Sequence, residues 1–273
     1  MIKKPVLILL TVCVLCSGCG LPQPANTGDA FSDSNRRSDT DPLKQPAASS
    51  DQLNSADGQA MTFAEYLSAG YEQPVTVESY LQEKQTWSDG KTGIFLQDEE
   101  GAYYVYNLLC TMEEYRDLNP GQRLRIRGYK TDFSGELQLT DASFSVLNGS
   151  YLADPYDVTE IFGSDELYLY LNRRIRLTGL TVESMFDGTS AFYYGWDNTG
   201  NVEKESDLYF TASNSGEICT FLVKTQLRGT DSEAYRTVQN LRIGDTVNLE
   251  GILSWYNGPQ PLVTSITVIS GSR

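Results

Sequence analysis

The stretch LNPGQRLRIRGYKTDFSG at residues 118–135 has a second copy, LRIGDTVNLEGILSWYNG, at residues 241–258. The two align without a gap, and each contains a turn glycine, an alternating strand, a mid-strand glycine and an aromatic loop that ends in glycine. Seven positions match at one constant offset: Leu118 with Leu241, Gly121 with Gly244, Leu124 with Val247, Ile126 with Leu249, Gly128 with Gly251, Phe133 with Tyr256, and Gly135 with Gly258. Such a series is not expected by chance, so it predicts one structural unit that occurs twice.

The alternation within each copy predicts a strand with one buried face. Leu124 and Ile126, and then Val247 and Leu249, recur with the period of two that is typical of such strands. The mid-strand glycine stands where a side chain would otherwise pack, which usually marks a bulge or a tight bend. Strands that bend sharply belong to small closed barrels rather than to flat sheets.

The segments around the repeated unit follow the same order in both halves of the chain. Three strands, a short helix and two further strands are predicted in each half, which is the order of the five-stranded OB barrel. A capping-box spacing between Thr62 and Glu65 predicts a leading helix. The other predicted segments are 75–81, 93–97, 103–108, 110–118 and 136–146 in the first half, and 157–171, 175–182, 192–225, 231–241 and 246–270 in the second. The fold class is therefore all-β with short helices, as two tandem OB-like barrels at 61–148 and 149–273.

The first 60 residues differ from the rest. Lys3 and Lys4 precede an apolar run at 6–15, as in a secretory signal, and the Ser-Gly-Cys that ends at Cys19 resembles a bacterial lipobox. We therefore expect a signal peptide and lipobox at 1–19, with Cys19 lipidated; an uncleaved anchor or a secreted form are the alternatives. Residues 20–60 are polar and aperiodic, which predicts a disordered tether. The expected location is the cell membrane, with the bilayer as a partner and the barrels facing outside the cytoplasm.

With this architecture, the chain resembles bacterial lipoproteins that carry tandem OB-like domains. The residues that carry the resemblance are the lipobox, Gln97-Asp98 with Gly101-Ala102-Tyr103, Leu118-Asn119-Pro120-Gly121, Gly128-Tyr129-Lys130 and Ser134-Gly135-Glu136. The resemblance implies a fold and a location. It implies no activity, because members of this group are generally of unknown function.

The charge of the chain argues against nucleic acid as a partner. The formal net charge is -15, from 36 acidic and 21 basic residues. Binding to a phosphate backbone depends largely on Lys and Arg, so an acidic protein opposes it. Arg123, Arg125 and Arg127 form a basic stripe, but alternation places them opposite Leu124 and Ile126. We interpret the stripe as a solvated outer face.

The composition gives no support for catalysis. The chain contains no histidine, which removes the commonest general base and the commonest zinc ligand. It also contains no P-loop, no G-x-S-x-G and no glycine-rich dinucleotide turn. We therefore expect no catalytic residue and no cofactor.

Metal binding is not expected either. Outside the signal segment only Cys110 and Cys219 remain, without a C-x-x-C pair that could hold zinc. They are predicted to be two buried free thiols, although export permits a disulfide between them. The oxygen-rich run 197–203 lacks the spacing of an EF-hand, and a polar turn is the simpler interpretation.

Aromatic residues give the only indication of a ligand site. In OB barrels, ligands lie between the loop that joins strands 1 and 2 and the loop that joins strands 4 and 5. Aromatic side chains are predicted in or near these loops and on strand 3: Trp87, Tyr104, Tyr106, Phe133, Tyr194, Trp196, Trp255 and Tyr256. Such rings suit sugars or extended peptides. The alternative is that they fill the barrel ends or pack the two barrels together.

Three functions are consistent with the sequence. A membrane-anchored, non-catalytic module that binds a cell-envelope glycan or peptide predicts exposed Trp87 and Trp255. A structural or assembly protein with a protein partner predicts the same rings buried between the barrels. A single-strand nucleic-acid binder predicts a continuous positive groove, which the charge disfavours.

Overall fold

A computed structural model of the 273-residue chain describes residues 59–195 and 206–271. The predicted signal peptide, Cys19, nearly all of the predicted tether, Trp196 and the run 197–203 lie outside the described residues. Within the described part, no helix is both long enough and apolar enough to cross a membrane.

The described chain consists mainly of strands. The helices are α1 (Phe63–Ser68), α2 (Met112–Asp117), α3 (Thr225–Arg228) and α4 (Glu233–Val238), with two 3-10 helices at Thr159–Ile161 and Asp165–Tyr170. The strands of the first half are β1 (Pro74–Lys84), β2 (Lys91–Gln97), β3 (Ala102–Leu109), β4 (Gln122–Phe133) and β5 (Glu136–Ser150). Those of the second half are β6 (Tyr156–Asp157), β7 (Arg174–Glu183), β8 (Phe192–Tyr194), β9 (Leu208–Asn214), β10 (Glu217–Val223), β11 (Thr246–Ile252) and β12 (Leu262–Ser270).

Each half forms a closed five-stranded barrel, which confirms the predicted fold class. The first barrel has the strand order β1-β2-β3-β5-β4, closed by pairing of β4 with β1. In the second barrel the corresponding order is β7-β9-β10-β12-β11, closed by pairing of β11 with β7. The short strands β6 and β8 extend the second sheet at its edges. The two barrels therefore have the same strand order, as the duplicated stretch predicts.

Local sequence signals account for the helices. Thr62 and Glu65 form the predicted capping box of α1, and Thr111 and Glu114 form a second one at the start of α2. The predicted helical stretch 157–171 differs in detail, since it consists of two 3-10 helices rather than one helix. Gly163, with φ of 82°, separates them, because a left-handed residue cannot continue a right-handed helix.

The mid-strand glycines allow both barrels to close. The pairing register shifts between Arg127 and Tyr129 on β4, and between Glu250 and Gly251 on β11. A Cβ atom at Gly128 would lie 2.8 Å from the Thr140 carbonyl oxygen, and one at Gly251 would overlap the Leu262 carbonyl. The glycines are therefore needed where β5 and β12 cross these strands, which confirms the predicted bulges.

Apolar clusters fill both barrels, and a third cluster joins them. In the first barrel Leu124 and Ile126 are buried, whereas Arg123 and Arg125 lie on the other face of β4 and pair with Glu78 of β1 at 2.8 and 2.7 Å. The joining cluster is formed by residues of both barrels: Phe95, Tyr104, Leu222, Leu227, Ile252 and Leu262. The barrels therefore share an apolar interface.

The buried cysteines agree with the sequence prediction. Cys110 and Cys219 are free and buried, one in each half of the chain. Burial raises the pKa of Cys219 to about 12, so this thiol stays protonated. In the described part of the chain, no group of three or more Cys, Asp or Glu side chains could hold a metal ion.

We predict that Gly251→Ala destabilises the protein by roughly 2–3 kcal/mol, because the new methyl group would displace β12 at the closure of the second barrel. Gly70→Ala is the control, since its Cβ would meet Gln73 at an ordinary 3.5 Å. The control should change stability by no more than roughly 0.5 kcal/mol. Urea unfolding measures both variants, and equal stabilities would contradict the closure argument.

Candidate ligand-binding cleft

The aromatic loops of the two repeated units contact each other. Each loop joins the fourth and fifth strands of its barrel. The rings of Phe133 and Tyr256, which are equivalent positions in the repeat, lie 6.0 Å apart between centroids. The Asn257 backbone N–H donates to the Ser134 carbonyl at 2.8 Å, and the Tyr168 hydroxyl donates to the Gly135 carbonyl at 3.0 Å. The repeated stretch therefore forms part of the barrel interface.

A cleft of about 180 Å³ opens beside this contact. Five of the predicted ligand-binding residues line it: Tyr104, Tyr106, Phe133, Trp255 and Tyr256. Phe133, Tyr106 and Tyr256 are exposed, at 58, 45 and 46% of their surfaces. Tyr104 is buried and stacks on Phe95 with centroids 4.6 Å apart. The cleft therefore combines solvent-facing rings at its surface with a packed aromatic floor.

Trp255 forms part of the interface as well as the cleft. Its ring is half-buried and meets the Tyr168 ring edge to face at 4.8 Å. A Cβ at Gly135 would lie 2.5 Å from the Trp255 ring, so the ring packs directly on the backbone of the first barrel. Trp255 is thus neither fully exposed nor fully buried between the barrels.

Trp87 and Tyr194 do not line the cleft. Trp87 is half-buried, and its indole N–H donates to the Cys110 carbonyl at 2.9 Å. Tyr194 accepts a hydrogen bond from Gln239 at 3.0 Å and packs against Phe192. The position of Trp196 lies outside the described residues.

The most unusual group in the cleft is the carboxyl of Glu136, which is only 4% exposed. Its Oε2 accepts from the Ser254 hydroxyl at 2.8 Å and from the Trp255 backbone N–H at 2.6 Å. Its Oε1 is buried and has no hydrogen-bond partner among the described residues. Burial raises the pKa of Glu136 to about 7, although these hydrogen bonds and the neighbouring Asn172 side chain act in the opposite direction. Glu136 can therefore change its charge near neutral pH.

Two further polar side chains line the same cleft. Gln85 is 6% exposed, and its Nε2 is a buried donor without a partner in the part of the chain described. Lys224 is half-buried, and burial lowers its pKa. The cleft therefore offers a buried acceptor, a buried donor and an ammonium group beneath its aromatic surface.

Sequence reasoning did not select these polar residues. Glu136 belongs to the quoted Ser134-Gly135-Glu136 motif, and the equivalent position in the second copy is Pro259. Because Glu136 lies just after the repeated stretch, the repeat carries no signal for it. Gln85 and Lys224 carry none either, because only the packing of the two barrels brings them to the cleft.

Comparison with known proteins gives neither a family nor a close relative. No protein-family model matches the chain, and no curated protein matches it. Among solved structures, asparaginyl-tRNA synthetase from Pyrococcus horikoshii is 16% identical over 44% of this chain and 23% of its own, with a TM-score of 0.28. The chain therefore spans about a quarter of the length of that enzyme.

Two further structures match a larger part of the chain. A murine DNA-binding protein bound to double-stranded DNA is 10% identical over 72% of this chain and 97% of its own, with a TM-score of 0.34. A Replication Protein A heterotrimer bound to single-stranded DNA is 10% identical over 78% of this chain and 69% of its own, with a TM-score of 0.26. Scores and identities this low support no statement about function.

We predict a pH dependence of stability that Glu136→Gln removes. The folded pKa of about 7 exceeds the ordinary value of 4.5. The contribution is therefore fully present below pH 4.5 and is lost as the pH rises through about 7. The stability of the wild type relative to the variant should fall by on the order of 3 kcal/mol across this window.

Denaturant unfolding at a series of pH values measures this difference. Glu99→Gln, in an exposed turn, is the matched control for the change from carboxyl to amide. A stability difference between wild type and Glu136→Gln that does not change with pH would show that the Glu136 carboxyl is not perturbed by burial.

Proposed function

We propose that the protein is a non-catalytic binding protein that holds a sugar unit of a cell-envelope glycan in the cleft between its two barrels. The observation that carries this proposal is the pair of buried, unpartnered polar atoms, Glu136 Oε1 and Gln85 Nε2, within an aromatic cleft. Anchoring through lipidated Cys19, on the outer side of the cytoplasmic membrane, remains part of the proposal.

The energetics of the unpartnered atoms support a hydrogen-bonding ligand. A buried polar group without a partner costs about 1–3 kcal/mol. A sugar hydroxyl can donate to Glu136 Oε1 and can also accept from Gln85 Nε2, so it could remove both penalties. Removal of these two penalties on binding would contribute to the affinity for the sugar.

The aromatic surface supports a ligand with an apolar face. The C–H face of a sugar ring packs well on aromatic rings, whereas its hydroxyl groups need polar partners at the edge. Phe133 and Tyr256 remain about half exposed even though they lie at the barrel interface. Rings that served only to join the barrels would be covered, so their exposure favours binding over a purely structural role.

Charge supports a neutral ligand over nucleic acid. The cleft contains one lysine, Lys224, and the carboxyl of Glu136 lies beside it. A phosphate backbone would meet few cations there, and the net charge of -15 would oppose its approach. A peptide could use the same hydrogen-bonding groups, and the experiment below separates the two ligand classes.

We predict that Phe133→Ala weakens glycan binding by at least about tenfold, because the ring offers an exposed stacking surface that alanine lacks. Tyr71→Ala is the matched control, since Tyr71 is also 58% exposed and lies outside the cleft. Isothermal titration with cell-wall glycan fragments, and separately with cell-wall peptides, measures the effect.

Two results would contradict the proposal. If both variants bind glycan as the wild type does, the cleft is not the binding site. If the wild type binds only the peptides, the cleft is a peptide site and the assignment to glycan is wrong.

A further inference from the structure

A second cavity, distinct from the aromatic cleft, lies on the opposite face of β5. Glu136 and Gln138 line the cleft, whereas Leu137 between them lines this cavity, as the alternation of a strand requires. We call it the α1 crevice, because α1 of the first barrel forms one wall and the second 3-10 helix forms the other. It has a volume of about 270 Å³.

The α1 crevice is lined mainly by apolar side chains. The apolar residues are Phe63, Leu67, Ala102, Leu137, Leu169 and Leu171. Leu67 and Leu169 are exposed at the rim, at 47 and 71% of their surfaces. An apolar cavity of about 150 Å³ is already sufficient to bind benzene, so a ring with a short side chain fits this volume.

Two buried polar atoms without a partner distinguish the crevice from a packing defect. Tyr66 and Asn172 line it and are only 1 and 3% exposed. Neither the Tyr66 hydroxyl nor Asn172 Oδ1 has a hydrogen-bond partner in the described part of the chain. Burial raises the pKa of Tyr66, so its hydroxyl keeps its proton and remains a donor.

The walls of the crevice are held in place by other contacts. Asn172 Nδ2 donates to the Leu137 carbonyl at 3.0 Å, and its backbone N–H donates to the Leu253 carbonyl at 2.7 Å. On the other wall, the Lys130 ammonium donates to the carbonyls of Tyr66, Leu67 and Ala69 at 2.9, 2.7 and 2.8 Å. The two polar atoms are therefore fixed before any ligand arrives.

We propose that the α1 crevice binds a small, mostly apolar alcohol or phenol, whose hydroxyl bonds with the Tyr66 hydroxyl or with Asn172 Oδ1. The apolar walls bind the body of such a molecule, and its hydroxyl supplies a partner that the described residues do not. A hydroxyl is suitable for either atom, because it can donate to the amide oxygen and accept from the tyrosine. This site has its own lining residues, but its Asn172 side chain also interacts with the Glu136 carboxyl of the proposed glycan cleft.

The test compares 4-ethylphenol with ethylbenzene, which differ only in the hydroxyl. Ligand-observed NMR gives the affinity of each probe for the whole protein. We expect 4-ethylphenol to bind at least about fivefold more tightly than ethylbenzene, which is the size of effect typical of one hydrogen bond. Tyr66→Phe should reduce this preference at least about threefold. Equal affinities of the two probes, or no binding of either, would overturn the proposal.

Controls separate binding from folding. Because the Tyr66 hydroxyl has no partner among the described residues, Tyr66→Phe should not lower the melting temperature, whereas a structural hydroxyl would. Tyr71→Phe, outside the crevice, should leave the affinities of both probes unchanged.

Leu67→Trp, at the exposed rim, should block both probes, and full binding by that variant would overturn the location of the site. Tyr106→Ala, at the exposed surface of the cleft and outside the crevice, should not affect either probe, which keeps this test separate from that of the glycan cleft.

Discussion

The contact between the two aromatic loops of the repeat is the interaction on which the site depends. Phe133 and Tyr256 meet at 6.0 Å, and the adjoining backbone bond between Asn257 and Ser134 fixes the two loops together. This contact brings Ser254 and Trp255 of one barrel onto Glu136 of the other. Without it, each barrel would keep its own core, but the cleft would lose one wall and Glu136 would face water.

Burial of the Glu136 carboxyl at this interface costs free energy, and the packing of the two barrels does not explain why a carboxyl occupies this position. Two hydrogen bonds to Oε2 offset part of the cost of burying Glu136, and the apolar cluster around Tyr104 and Leu262 stabilises the interface that buries it. Oε1 and the nearby Gln85 Nε2 remain without partners among the described residues. A pre-formed site that is unsatisfied when empty loses little entropy on binding, because its groups are already ordered.

The barrels and part of the cleft could be predicted from the sequence because their signals are local. The alternation at Leu124 and Ile126 predicts one strand, and the glycine at 128 predicts the place where the next strand crosses it. The second copy contains the same two signals. The five aromatic residues of the cleft follow from the same loops and from strand 3. Glu136 and Lys224 could not be selected in this way, since their environment arises only where the barrels meet. Trp87 lies outside the cleft because it belongs to the loop between strands 1 and 2, whereas the loops between strands 4 and 5 form the contact between the barrels.

Fluorescence of Trp255 alone reports whether a glycan occupies the cleft between the barrels. The chain has three tryptophans, so Trp87→Phe combined with Trp196→Phe leaves Trp255 as the single reporter. Quenching by acrylamide should be moderate in the free protein, because Trp255 is half-buried, and should fall when cell-wall glycan fragments occupy the cleft. If quenching does not change at glycan concentrations that saturate binding in the titration, the ligand binds elsewhere and the cleft is not the binding site.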